Sequence, residues 1–132
     1  MRRLKKKIIV IDGNIKYKDL FVNIEVDMTT VINCAANVAH FAYGDALESV
    51  NINAVENLIS FCQTKKAMLV HISTISVSGY QRKENILDIA YTEKDFYKGQ
   101  IISNEYIYSK FVAEYLILNA KTNGLNAKIT GM

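Results

Sequence analysis

Residues 104–114 read NEYIYSKFVAE and place Tyr106 and Lys110 four positions apart, on one face of a helix. A tyrosine hydroxyl has an ordinary pKa of about 10, so it moves protons near neutrality only where a neighbouring cation stabilises its phenolate. Lys110, one turn further on, supplies that cation. A second hydroxyl holding the same oxygen would complete a set that polarises a carbonyl and protonates it while a hydride arrives. The hydride must come from a cofactor, because no side chain donates one. Thr74 is the candidate for the second hydroxyl, in a segment HISTISVSG (71–79) that offers Ser73, Thr74, Ser76 and Ser78 after an apolar run. The Tyr-x-x-x-Lys spacing alone stands at chance frequency, so its meaning rests on the elements that carry it.

Those three side chains converge only if a strand ends near residue 74 and a helix starts near residue 104. AMLVHISTISV (67–77) is nearly continuous in apolar and β-branched residues, which predicts a central strand buried on both faces. The long polar stretch 78–103 reads as a loop of functional length. A helix is expected over about 104–122, capped by Ser103 or Asn104 and stopped before Gly124, and NAKITGM then opens another strand. Upstream, KIIVI (7–11) predicts a buried strand stopped at Asp12-Gly13, and 14–28 a loop with one helical turn. TTVINCAA (29–36) predicts a strand ending in small residues. Asp45 to about Lys65 predicts a helix, with Asp45 and Glu48 as a capping box and asparagines interrupting its apolar stripe. This order predicts an α/β fold with a parallel sheet and right-handed crossovers. Ligands bind beyond the carboxyl ends of such strands, which directs attention to Asp12-Gly13-Asn14, Ala35-Ala36-Asn37, the 73–78 segment and Gly131.

With 132 residues, half of them hydrophobic, the chain has the length of one domain able to bury a core. No apolar run approaches the roughly 18–20 residues that cross a bilayer, and MRRLKKK is not followed by the apolar region of a secretion signal, so a cytoplasmic, non-membrane protein is expected. The net charge of +3 is owed mainly to Arg2, Arg3, Lys5, Lys6 and Lys7. Without a second basic stripe that run reads as a solvated flank, not a nucleic-acid surface. Cys34 and Cys62 sit in apolar contexts with no metal-ligand spacing and read as buried free thiols, with no metal site. His40 and His71 read as a loop and a strand residue, and Tyr108 as a packing residue. Tyr91, Phe96 and Tyr97 fit either a substrate channel or aromatic anchoring of the loop.

Taken in order, VIDGNI, VINCAANV, VNINAVENLI, HISTISVSG, YTEKDFYKGQ and NEYIYSKFVAE resemble the successive motifs of extended short-chain dehydrogenases/reductases. Within that group they are most similar to the thioester reductase domains that terminate nonribosomal peptide synthetases. The resemblance implies a partial Rossmann-like, doubly wound parallel sheet with flanking helices over residues 1–132. It implies Thr74, Tyr106 and Lys110 as the catalytic set, with Lys110 also on the nicotinamide ribose. Ala35, Ala36 and Asn37 would line the cofactor groove, and Asn14 would stand where the family usually has an aspartate against adenine. The implied cofactor is NADPH, with NADH open, and the implied partner is a phosphopantetheinyl carrier protein bearing a thioester. Asn51 matches a family asparagine of structural or water-mediated role. The six glycines, at 13, 44, 79, 99, 124 and 131, are never closer than seven positions apart, so the family's glycine-rich phosphate turn has no counterpart here. An internal reductase segment, without that turn and without the C-terminal substrate domain, is therefore expected. A non-catalytic module of the same fold and a nucleotide-sugar epimerase or dehydratase are the alternatives.

Overall fold

The computed structural model describes residues 8–37, 49–79, 91, 92 and 94–131. The basic N-terminal run, the Asp45–Glu48 capping box, His40 and residues 80–90 and 93 of the 78–103 loop lie outside the described residues. The elements, in chain order, are α1 (Asp19–Val22), β1 (Thr30–Asn33), a π-helical turn (Ser49–Asn53) continuing into α2 (Ala54–Lys65), β2 (Met68–Ser73), a 3-10 turn (Ile75–Ser78), α3 (Glu105–Thr122) and β3 (Ala127–Gly131). The strands form one parallel sheet in the order β1-β2-β3, with Asn33 level with His71 and Ser73 level with Gly131. This is the Rossmann-like parallel α/β arrangement with flanking helices that the element order predicts.

Both long helices cover the same face of the sheet. Val55 and Cys62 of α2, Leu69 of β2, Ala113, Ile117 and Ala120 of α3, and Ala127 of β3 form one buried cluster. Side chains alternate along a strand, so the row under the helices on β2 is Leu69, His71 and Ser73. The opposite row, Met68, Val70 and Ile72, is only half-buried, less covered than the expected strand buried on both faces. The helix-covered row changes from apolar to polar as it approaches the carboxyl end of the sheet. Helix α3 runs back over it, presenting Lys110 and Glu114 nearer its start and Ile117 and Ala120 nearer its end. Its Asn104 cap accepts a hydrogen bond from the Ile107 N–H at 3.1 Å, and Gly124, at φ +98°, follows its end.

Two expectations are corrected. Residues 8–11 form no strand, and Ile8, Ile9, Val10 and Ile11 are 50–89% exposed. A β-branched run becomes a strand only where a neighbour takes its N–H and C=O groups, and no described strand pairs with this one. Cys62 is a buried thiol, pushed up to about 11 by burial, but Cys34 is exposed because it falls just past the end of β1.

Helix α2 ends on Lys66 in the left-handed region, φ 55° and ψ 33°, the one described non-glycine residue at positive φ. A Cβ there costs about 1 kcal/mol that glycine avoids. Lys66→Gly is therefore expected to raise the thermal midpoint by a few degrees, read by circular dichroism, with the fold unchanged.

Candidate active site

The carboxyl ends of β1 and β2 and the first three turns of α3 bring five polar side chains into the interior: Asn33, His71, Ser73, Lys110 and Glu114, all buried. None of their described polar atoms is left without a partner. Asn33 Oδ1 accepts from the backbone N–H of Ala35 at 3.1 Å, and Asn33 Nδ2 lies 3.0 Å from His71 Nδ1. His71 Nε2 lies 3.3 Å from Lys110 Nζ, which also donates to the carbonyl of Ile72 at 2.8 Å. The Ser73 hydroxyl donates to the Glu114 carboxylate.

Burial sets the charges in this group. Desolvation lowers the His71 pKa to about 3, with the neighbouring Lys110 charge acting the same way. It also lowers the pKa of Lys110, against the opposing pull of Glu114 and Cys34. Glu114 is raised by burial, partly offset by the Ser73 hydroxyl and Lys110.

Around this core stand the residues expected from sequence. Lys110 is tied to the carbonyl of Ile72, two residues before Thr74, and Tyr106 is half-buried one turn earlier on the same helix. Thr74 is extended and half-buried, and its hydroxyl accepts from the Ser76 N–H at 3.3 Å, which caps the 3-10 turn. Thr74 directly follows β2 and Lys110 reaches the carbonyl of Ile72 near its end, while Tyr106 stands on α3 one turn before Lys110. Tyr108 is 57% exposed, so its assignment to packing is corrected: two residues from Tyr106 on a helix is the far side. Ala35 and Ala36 follow β1, and Asn37 has both its N–H and its carbonyl held by the Asn51 side chain, at 2.8 and 3.1 Å. Asn51 also donates to Ser109 Oγ at 2.9 Å, and Ser109 donates to the Tyr106 carbonyl at 2.7 Å. The turn after β1 and the turn bearing Tyr106 are therefore fastened through one asparagine. Asn14 lies apart on an exposed turn, where its side chain accepts from the Lys16 N–H at 3.1 Å. Asn57 fastens that turn to α2 by donating to the carbonyls of Ile15 and Lys16.

The loop before α3 is anchored by aromatic contacts. Phe96 stacks on Phe111 with centroids 4.4 Å apart, and its carbonyl accepts from Tyr91 Oη and Gln100 Nε2. Tyr97 remains 68% exposed. Gly79 sits at φ +59°, and a Cβ there would stand 2.6 Å from the Ile101 carbonyl oxygen, so the strand's exit is built for glycine. Among the described residues no group of histidine, cysteine and carboxylate side chains could hold a metal ion, and no helix is long and apolar enough to cross a membrane.

Asn33 and Glu114 escape a reading by motif, and His71 passes as an ordinary strand residue. The signals that could have found them are the two-residue alternation that puts His71 and Ser73 beside Leu69, and the four-residue step from Lys110 to Glu114.

Ligands of open parallel α/β sheets bind beyond the carboxyl ends of the strands, which is where this chain places Ala35, Ala36 and the buried Lys110. The chain belongs to the NAD-binding family described as male sterility protein, whose profile matches residues 1–130. The solved thiolation-reductase di-domain of an archaeal non-ribosomal peptide synthetase is similar to it at 40% identity and a TM-score of 0.82, over 94% of this chain and 34% of that one. The reductase domain of an aureusimine biosynthetic cluster is similar at 32% identity and a TM-score of 0.69, over 82% of this chain and 27% of that one. Probable polyketide synthase 44 of Dictyostelium discoideum is 26% identical over 114 residues, which is 81% of this chain and 4% of that protein. The chain thus spans about a third or less of each of these three proteins.

Proposed function

We propose that this chain forms the carbonyl-handling part of an NADPH-dependent reductase that releases a carrier-bound acyl or peptidyl thioester as an aldehyde, or by a second round as an alcohol. The observation that carries the reading is the hydrogen bond from Lys110 to the carbonyl of Ile72, two residues before Thr74, with Tyr106 one turn before Lys110 on the same helix. The likeness to the archaeal thiolation-reductase supports it.

Ala35, Ala36, Asn37 and Lys110 would hold the nicotinamide half of the cofactor, with Asn14 on the adenine side, and the small side chains at 35 and 36 suit a close approach. The glycines of the sequence, at 13, 44, 79, 99, 124 and 131, are too far apart for the glycine-rich turn that cradles a pyrophosphate. When bound, the dinucleotide supplies the hydride. Thr74 and Tyr106 would orient the thioester oxygen, and Tyr106 would give it a proton as the carbonyl carbon takes the hydride. Breaking the C–S bond of the resulting hemithioacetal yields the aldehyde and returns the thiol to the carrier's phosphopantetheine arm. Lys110, carrying its proton at that moment, would stabilise the phenolate left behind.

A chimera in which residues 1–130 replace the matching segment of the archaeal di-domain tests this. It is expected to consume NADPH in the presence of an acyl-pantetheine thioester and to form the aldehyde. Binding of NADPH with no thioester turnover would remove the reading, and turnover of a nucleotide sugar would replace it.

A further inference from the structure

The polar side chains beneath the reaction site form a hydrogen-bond sequence with only one consistent direction. It begins at a group that cannot change its role, the backbone N–H of Ala35, which donates to Asn33 at 3.1 Å. The atom it meets must be the amide oxygen, so Asn33 presents its NH₂ to His71 Nδ1 at 3.0 Å. Nδ1 is thereby the acceptor of a neutral ring, and the ring proton lies on Nε2. Nε2–H points at Lys110 Nζ, 3.3 Å away. An ammonium has three donors and no acceptor, whereas an amine has a lone pair that receives this hydrogen and can still donate to the Ile72 carbonyl at 2.8 Å. Flipping Asn33 only moves the donor–donor contact to Ala35, and exchanging the ring tautomer moves it to Asn33.

We propose that Asn33 and His71 are positioning residues that hold Lys110 as the neutral amine while no further acceptor reaches its nitrogen. The inference rests on the assignment of Lys110 to the reaction site, but its test does not depend on turnover. Titratable groups bearing on Lys110 from the packed elements are His71 of β2, Glu114 of α3 and Cys34 beyond β1, and Tyr106 stands one turn before Lys110 on α3. Glu114 is occupied by the Ser73 hydroxyl and makes no ion pair with Lys110 within 4 Å; the one ion pair among the described residues is Lys98 with Asp95. Burial acts in the same sense as the relay, because it disfavours the ammonium. The lysine's charge would then follow occupancy: ribose hydroxyls or a Tyr106 phenolate supply the acceptors that an ammonium needs.

The test uses the 132-residue chain labelled with ¹⁵N and ¹³C. Long-range ¹H–¹⁵N spectra give the tautomer of each histidine ring, with His40→Gln distinguishing the two, and the ¹³Cε shift of Lys110, identified through Lys110→Arg, is followed against pH. The expected result is a neutral His71 with its proton on Nε2 and a Lys110 midpoint below those of the other lysines. In Asn33→Asp both side-chain oxygens accept, so the ring proton should move to Nδ1, Nε2 should accept from Lys110, and the lysine midpoint should rise. A wild-type ring protonated on Nδ1, or a Lys110 that titrates with the surface lysines, overturns the proposal. So does a folded Asn33→Asp chain in which the tautomer switches and the lysine midpoint stays in place. Should that variant fail to fold, the wild-type tautomer decides.

Discussion

Tyr106→Phe in the reductase chimera is expected to lower kcat by about 10²–10⁴-fold, the range lost when a positioned proton donor is removed. The substitution deletes one oxygen and keeps the ring. The helix start does not depend on that oxygen, since Asn104 caps α3 through the Ile107 N–H and Ser109 binds the Tyr106 carbonyl, not its hydroxyl. Lys110 keeps its backbone partner at Ile72 as well. NADPH affinity and thermal midpoint should therefore stay near those of the parent, which separates a chemical loss from a folding loss. Stopped-flow measurement of NADPH oxidation reads the effect. Undiminished turnover would place the proton donor elsewhere and leave Tyr106 as a residue packed at a helix start. Tyr108→Phe is the matched control, because Tyr108 is 57% exposed on the other side of α3 and should leave kcat unchanged.

The parts of this fold that could be read from sequence are those whose signals are local. The start of α3 is set by one asparagine and its end by one glycine, and both stand in the chain within a turn of the boundary they fix. β1, β2 and β3 are short runs of apolar and β-branched residues interrupted or bounded by small and polar ones. The run KIIVI carries the same local signal, yet residues 8–11 stay unpaired and exposed, because strand formation needs a partner that composition does not report. The proposed set of Thr74, Tyr106 and Lys110 is read from local spacing, the four-residue step from Tyr106 to Lys110 and the hydroxyls after β2. The relay beneath it is not, since Asn33 and His71 are 38 positions apart and meet only through the parallel register that sets them level. Exposure at strand ends is equally non-local: Cys34 lies one residue beyond β1 and is exposed, whereas Cys62 faces the sheet from α2 and is buried.

The buried imidazole gives the chain an acid sensitivity with a definite sign. His71 is 1% exposed, and its folded pKa of about 3 lies below the ordinary 6.5. Between those values the unfolded chain binds a proton that the folded chain refuses. The stability contributed by a neutral His71 is thus fully present above pH 6.5 and is lost as the pH falls toward about 3. One proton gives a slope of about 1.4 kcal/mol per pH unit, and over this window the loss amounts to a few kcal/mol, a large share of a small domain's stability. Glu114 works against it in part. Its folded pKa is raised above 4.5, so its contribution is complete below 4.5 and declines as pH rises through the folded value. The two slopes oppose each other above pH 4.5, and below it His71 acts without that opposition. Urea unfolding of the wild-type chain should therefore steepen in its pH dependence below 4.5. His71→Gln, which keeps a polar side chain but cannot titrate, should flatten that limb by about one proton's slope while being less stable at pH 7, where it packs less well. Parallel limbs in the two chains would mean that the imidazole is charged in the folded state, and the neutral ring on which the Lys110 relay depends would be gone with it.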